Sequence, residues 1–106
     1  MKPLSREELD KYTIPLKGAS ADAWSGKGSG LSQPIARPCN VWDNWTNEFK
    51  GWRVATFDAD PESPHYNRIQ QVFFRNNQDY PLLTELTQES FRAAVEEVGL
   101  KIAEST

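Results

Sequence analysis

The chain has 106 residues, 38% hydrophobic and 25% charged, with a net charge of −3. That length fits one domain able to bury a core without disulfides or metals. A single cysteine, Cys39, excludes an internal disulfide and fits a reducing, cytoplasmic setting, while the acidic balance without a Lys/Arg run argues against a general nucleic-acid footprint.

No stretch has the length and apolarity of a signal peptide or a membrane span, so no membrane association is expected. Charge is unevenly spread. Residues 1–38 hold six Lys/Arg and four Asp/Glu, whereas residues 77–106 hold two and six, which makes the last third acidic.

In chain order, Leu4-Ser5-Arg6-Glu7-Glu8-Leu9 is a helix start. Ser5 and Glu8 have capping-box spacing, and Leu4 and Leu9 are placed for a hydrophobic staple. The helix is short, because Thr13-Ile14-Pro15 ends it. Lys17 to Pro38 has glycine and proline punctuation and no sustained period, which predicts a long irregular segment. A run of this kind in a small domain is more often functional or disordered than merely connecting. Trp24 lies in its middle, either packed back on the core or anchoring a partner. Lys27 sits beside it, surrounded by small residues.

Asn40 to Phe57 carries three of the four tryptophans. Trp42, Trp45, Phe49 and Trp52 are spaced 3, 4, 3, which at a helical period places them within an arc of roughly 80°. With Asn40 as N-cap and Gly51 as stop, the spacing predicts an aromatic helix whose stripe forms the core. Trp52 to Ala59 and Arg68 to Arg75 then read as strands paired antiparallel, joined by the wide, proline-containing loop from Asp60 to Asn67. Residues 82–86 are a candidate third strand. Thr87 caps a C-terminal helix on which Phe91, Val95, Val98 and Ile102 form one stripe. Gly99 is read as an interior glycine of that helix, because Ile102 keeps the phase.

Four groupings invite a chemical reading. Gly26-Lys27-Gly28-Ser29-Gly30 resembles a phosphate loop in composition only. Ala21 stands where the Walker pattern needs its first glycine, and Gly28 stands where it needs Ser or Thr. Counting a calcium loop from Asp58 places Ser63 and Ile69 where glycine and glutamate are required. His65, the only histidine, lies near Asp60 and Glu62 with no nucleophile or oxyanion site specified around it. Cys39 fits a small buried hydrophobe better than a nucleophile.

The expected fold is therefore α+β. A small antiparallel sheet carries an aromatic central helix and a C-terminal amphipathic helix, with a long irregular N-terminal segment, in a single domain of residues 1–106 whose compact part begins at residue 39. The expected function is a small, acidic, non-enzymatic interaction protein that binds and modulates another protein, a character shared by small phage or mobile-element inhibitors. Trp24, Lys27, Asp60, Glu62, His65 and Tyr66 are the expected partner-binding residues, with no cofactor, no metal, and nucleic acid not expected as a direct ligand. Two alternatives stand beside it: a nucleic-acid-binding accessory protein using the aromatics and the positive N-terminal third, and a small hydrolase or nuclease built on Asp58, Asp60, Glu62 and His65.

Overall fold

A computed structural model describes residues 2–17, 32–69, 71–72 and 82–103; Trp24 and Lys27 lie outside them. Helix α1 (Arg6–Asp10) begins as its sequence predicts. The Ser5 hydroxyl accepts from the Glu8 N–H, and the Glu8 carboxylate accepts from the Ser5 N–H. The chain then runs through strands β1 (Ile14–Pro15), β2 (Pro34–Trp42), β3 (Phe49–Asp58) and β4 (Gln71–Val72) to helix α2 (Gln88–Glu97). The strands form one antiparallel sheet in the order β1-β2-β3-β4. Two helices and an antiparallel sheet make the fold α+β, as expected.

The middle of the chain departs from expectation. Residues 40–52 are not a helix: they close a hairpin between β2 and β3, in which Pro34 pairs with Asp58 and Val41 with Gly51. The 3, 4, 3 aromatic spacing is met by a strand end, a loop and a strand start, because Trp42 pairs directly with Phe49 across the hairpin. Gly51 is not a helix stop either. It lies inside β3 at φ +136°, and a Cβ there would collide with the Leu83 carbonyl oxygen. That close approach lets Trp52 and Leu83 exchange two backbone hydrogen bonds of 2.9 Å. Leu83 is thus a one-residue bridge and not the strand expected at 82–86. The pairing expected between the segments around 52–59 and 68–75 is present as Ala55 with Val72 and Thr56 with Gln71.

The irregular segment expected up to Pro38 ends earlier, because residues 34–38 belong to a central strand. Prolines are tolerated there by a matter of direction. The Leu16 N–H donates to the Pro34 carbonyl at 3.0 Å, so alternate residues of β2 turn their backbone groups toward β1. Pro34 and Pro38 share that direction, and their missing N–H groups remove no bond to β3. At Pro38 the neighbouring β1 has already ended, since its last partner along β2 is Ala36.

Each sheet face carries its own apolar cluster. On one face Ala36 and Val54 pack with Ile14 and Leu16, with Phe91 and Val95 of α2, and with its C-cap residue Val98. On the other lie Ile35, Cys39, Ala55 and Phe57, flanked by Val41 and Val72. Thr87 caps α2 as predicted, accepting from the Ser90 N–H at 2.9 Å. Gly99 is not interior but the stop. At φ +94° it donates to the Glu96 carbonyl, while Leu100 donates to the Val95 carbonyl and is itself buried. These are the paired bonds of a Schellman turn. Beyond it, Lys101 to Ala103 pair alongside β1, with Ile102 opposite Leu16. No helix among the described residues is long and apolar enough to cross a membrane.

Candidate functional site

The loop joining β2 to β3 is built by turn chemistry at its two ends. Asp43 Oδ1 accepts from the N–H groups of Trp45 (2.7 Å) and Thr46 (3.1 Å). These bonds hold the Asp43 carboxyl below the usual carboxylate range, outweighing its partial desolvation, with Lys50 at 3.7 Å helping. Asn47 takes the left-handed conformation, φ 61°, and donates to the Asp43 carbonyl at 2.8 Å. The Asp43 N–H closes the loop by donating to the Glu48 carbonyl at 2.8 Å.

This framework holds Trp45 out from the body of the protein, 96% exposed. The stripe expected to be core is therefore split. Trp52 is buried, Phe49 is half-buried, Trp42 is 46% exposed, and Trp45 is almost fully in water. Three of the four rings form a ladder from core to tip. Trp52 meets Phe49 edge-to-face at 5.1 Å, and Phe49 meets Trp42 at 5.3 Å. Such pairs contribute about 0.5–1.5 kcal/mol beyond their burial, and here they brace the hairpin just below Trp45.

The four described residues expected to bind a partner, Asp60, Glu62, His65 and Tyr66, come together in the loop after β3. That loop is folded around Asp58 and is not a loose acidic surface. The Asp58 side chain is fully buried and accepts from the N–H groups of Ser32 (2.8 Å), Gln33 (2.9 Å) and Asp60 (3.0 Å). Burial would raise its pKa. The Ser63 hydroxyl and the three N–H donors outweigh burial and pull it down to about 2. Asp60 Oδ1 in turn accepts from the Glu62 N–H, and the Ser63 hydroxyl from the His65 N–H. Glu62 and Tyr66 stand exposed on this cap; Asp60 and His65 are half-buried. No three His, Cys, Asp or Glu side chains among the described residues converge as a metal site would require.

Arg37 is a junction that sequence reasoning did not single out. From β2 it reaches Asp10 of α1 at 3.3 Å, donates to the Thr13 hydroxyl and the Asn67 side-chain oxygen at 2.7 Å each, and lies over the Phe57 ring. Cys39, two residues on, is a buried free cysteine whose thiol is pushed up by desolvation against the opposing pull of the Arg53 backbone and charge. It is held as the neutral, weakly reactive thiol.

Trp45 and Trp42 were missed as surface residues. Their signal lay in the turn formers Asp43, Asn44 and Asn47, flanked by β-branched and aromatic runs on both sides. No family model matches this chain, and no curated protein or solved structure is significantly similar to it.

Proposed function

We propose that the chain is a non-enzymatic protein-binding module whose hairpin tip, Trp45 with Trp42 beside it, is the anchor for a protein partner, and that it modulates that partner by occupying it. The observation that carries this reading is Trp45. A tryptophan 96% exposed contributes nothing to the core of the free chain, yet the loop that carries it is fixed by four hydrogen bonds around Asp43 and Asn47, one of them from the Trp45 N–H. A large rigid side chain on a preorganised loop loses little entropy on binding, and tryptophan is enriched among residues that dominate interface energies. Asp43, Glu48 and Lys50 leave the tip with one net negative charge, which suits a protein pocket better than a polyanionic strand. Glu62 and Tyr66, with Asp60 and His65 behind them, form a second exposed, preorganised surface for the same role.

Site-specific photo-crosslinking tests this reading. A benzophenone side chain at position 45, or at Glu89 on α2 as a comparison, is activated in a lysate of the native host. The expected result is one discrete adduct from position 45, suppressed by excess wild-type chain and not by excess Trp45→Ala. Equal suppression by both competitors, or adducts only from position 89, would remove the tip as the anchor.

A further inference from the structure

A groove of about 600 Å³ opens between α1, β2 and the end of the loop after β3, on the side of the sheet away from α2. Its size is that of a small-ligand pocket. Its walls are of two kinds. Leu9, Phe57 and Ile69 line its apolar side, and Ile69 is 54% exposed. Three arginines, Arg6, Arg37 and Arg68, line it as well, against a single carboxylate, Asp10.

Those charges do not cancel. Asp10 is paired with Arg37, which is also spent on Thr13 and Asn67. Arg6 donates only to the neutral Asn67 carbonyl, at 2.7 Å, and neither it nor Arg68 has a carboxylate partner among the described residues. The Arg6 bond sets its guanidinium against the backbone of the residue that precedes Arg68, so two arginines without a carboxylate partner among the described residues line the same groove. The whole chain carries −3, so this is a local reversal of sign.

We propose that the groove binds a free small organic anion: an apolar body lying on Leu9 and Ile69, with one carboxylate, sulfonate or phosphate head on Arg6 and Arg68. Arg37, already bonded to Asp10, Thr13 and Asn67, holds the wall in place, and the head falls to the other two, which can approach it with charge-assisted hydrogen bonds. This site is separate from the hairpin tip and does not depend on the protein-binding reading.

Anilinonaphthalene sulfonate, an apolar fluorophore with one anionic head, is a direct probe. Titrated with the intact chain, it is expected to bind one molecule per chain with enhanced fluorescence. Decanoate should displace it at concentrations where decanol does not, and neutral N-phenylnaphthylamine should bind at least tenfold more weakly. Both arginine side chains are exposed, so R6E/R68E should keep its circular dichroism spectrum and bind the dye at least tenfold more weakly. R6K/R68K, which keeps the charge, should stay within about threefold of wild type. The proposal is overturned if the wild-type chain does not bind the dye, if R6E/R68E binds it unchanged, if R6K/R68K loses it as R6E/R68E does, or if Trp45→Ala abolishes binding instead.

Discussion

Asp58 ties together segments that are far apart in sequence. Its buried carboxylate satisfies Ser32 and Gln33 at the entry to β2 and Asp60 and Ser63 in the following loop. A pKa depressed to about 2 means that the folded state prefers the ionised form more than the unfolded chain does. The resulting stability is fully present above the ordinary carboxylate pKa of about 3.9, and is lost as pH falls toward 2. Glu8, whose carboxylate is held by the Ser5 backbone and hydroxyl, and Asp43 shift in the same direction. Asp58→Asn keeps the shape and removes the charge. Hydrogen bonds to charged groups are worth about 1.5–3 kcal/mol, so the variant should lose about that much near neutral pH. Urea midpoints measured from about pH 6 to pH 2 should show wild type falling toward the variant, with the variant changing less. Parallel profiles would show that Asp58 is not the carboxylate that matters.

At the scale of elements, the capped helix starts were legible and the aromatic hairpin was not. Ser5 with Glu8 and Thr87 with the Phe91 stripe are local signals: a cap needs only its own first turn, and an amphipathic helix only its own period. The hairpin needed non-local information. Four aromatics at 3, 4, 3 satisfy a helical wheel, but the competing solution pairs Trp42 with Phe49 and completes a sheet whose other strands lie far away in sequence. Long-range pairing overrode a local period, and the same override placed Pro34 and Pro38 in a central strand. Of the surfaces described, the loop from Asp60 to Tyr66 was legible as a loop from its composition. Trp45 was missed because its exposure depends on the turn type. The two described glycines separate local from non-local roles. Gly99 has positive φ with nothing near its missing Cβ, whereas Gly51 has positive φ and the Leu83 carbonyl in the way. Gly99→Ala should cost about 1–2 kcal/mol from the backbone alone, and Gly51→Ala more than that, since the Trp52–Leu83 bridge must also shift. Equal losses in thermal or urea unfolding would contradict the close approach at Gly51.

On the scale of the whole molecule, the sheet separates three surfaces. One face is closed by α2. The other carries the arginine-lined groove beside α1. The hairpin projects from the sheet and ends in Trp45. Burial and exposure therefore fall to different tryptophans of one short stretch, and this division is what the protein-binding reading rests on. Denaturant unfolding of Trp45→Ala and Trp52→Ala tests it most directly. Trp52 is 5% exposed, so its truncation should cost about 3–5 kcal/mol, the range for a buried large aromatic. Trp45→Ala should stay within about 0.5 kcal/mol of wild type, as for a surface residue free of packing duties. If Trp45→Ala instead loses several kcal/mol, the aromatic stripe is core after all and the exposed anchor does not exist.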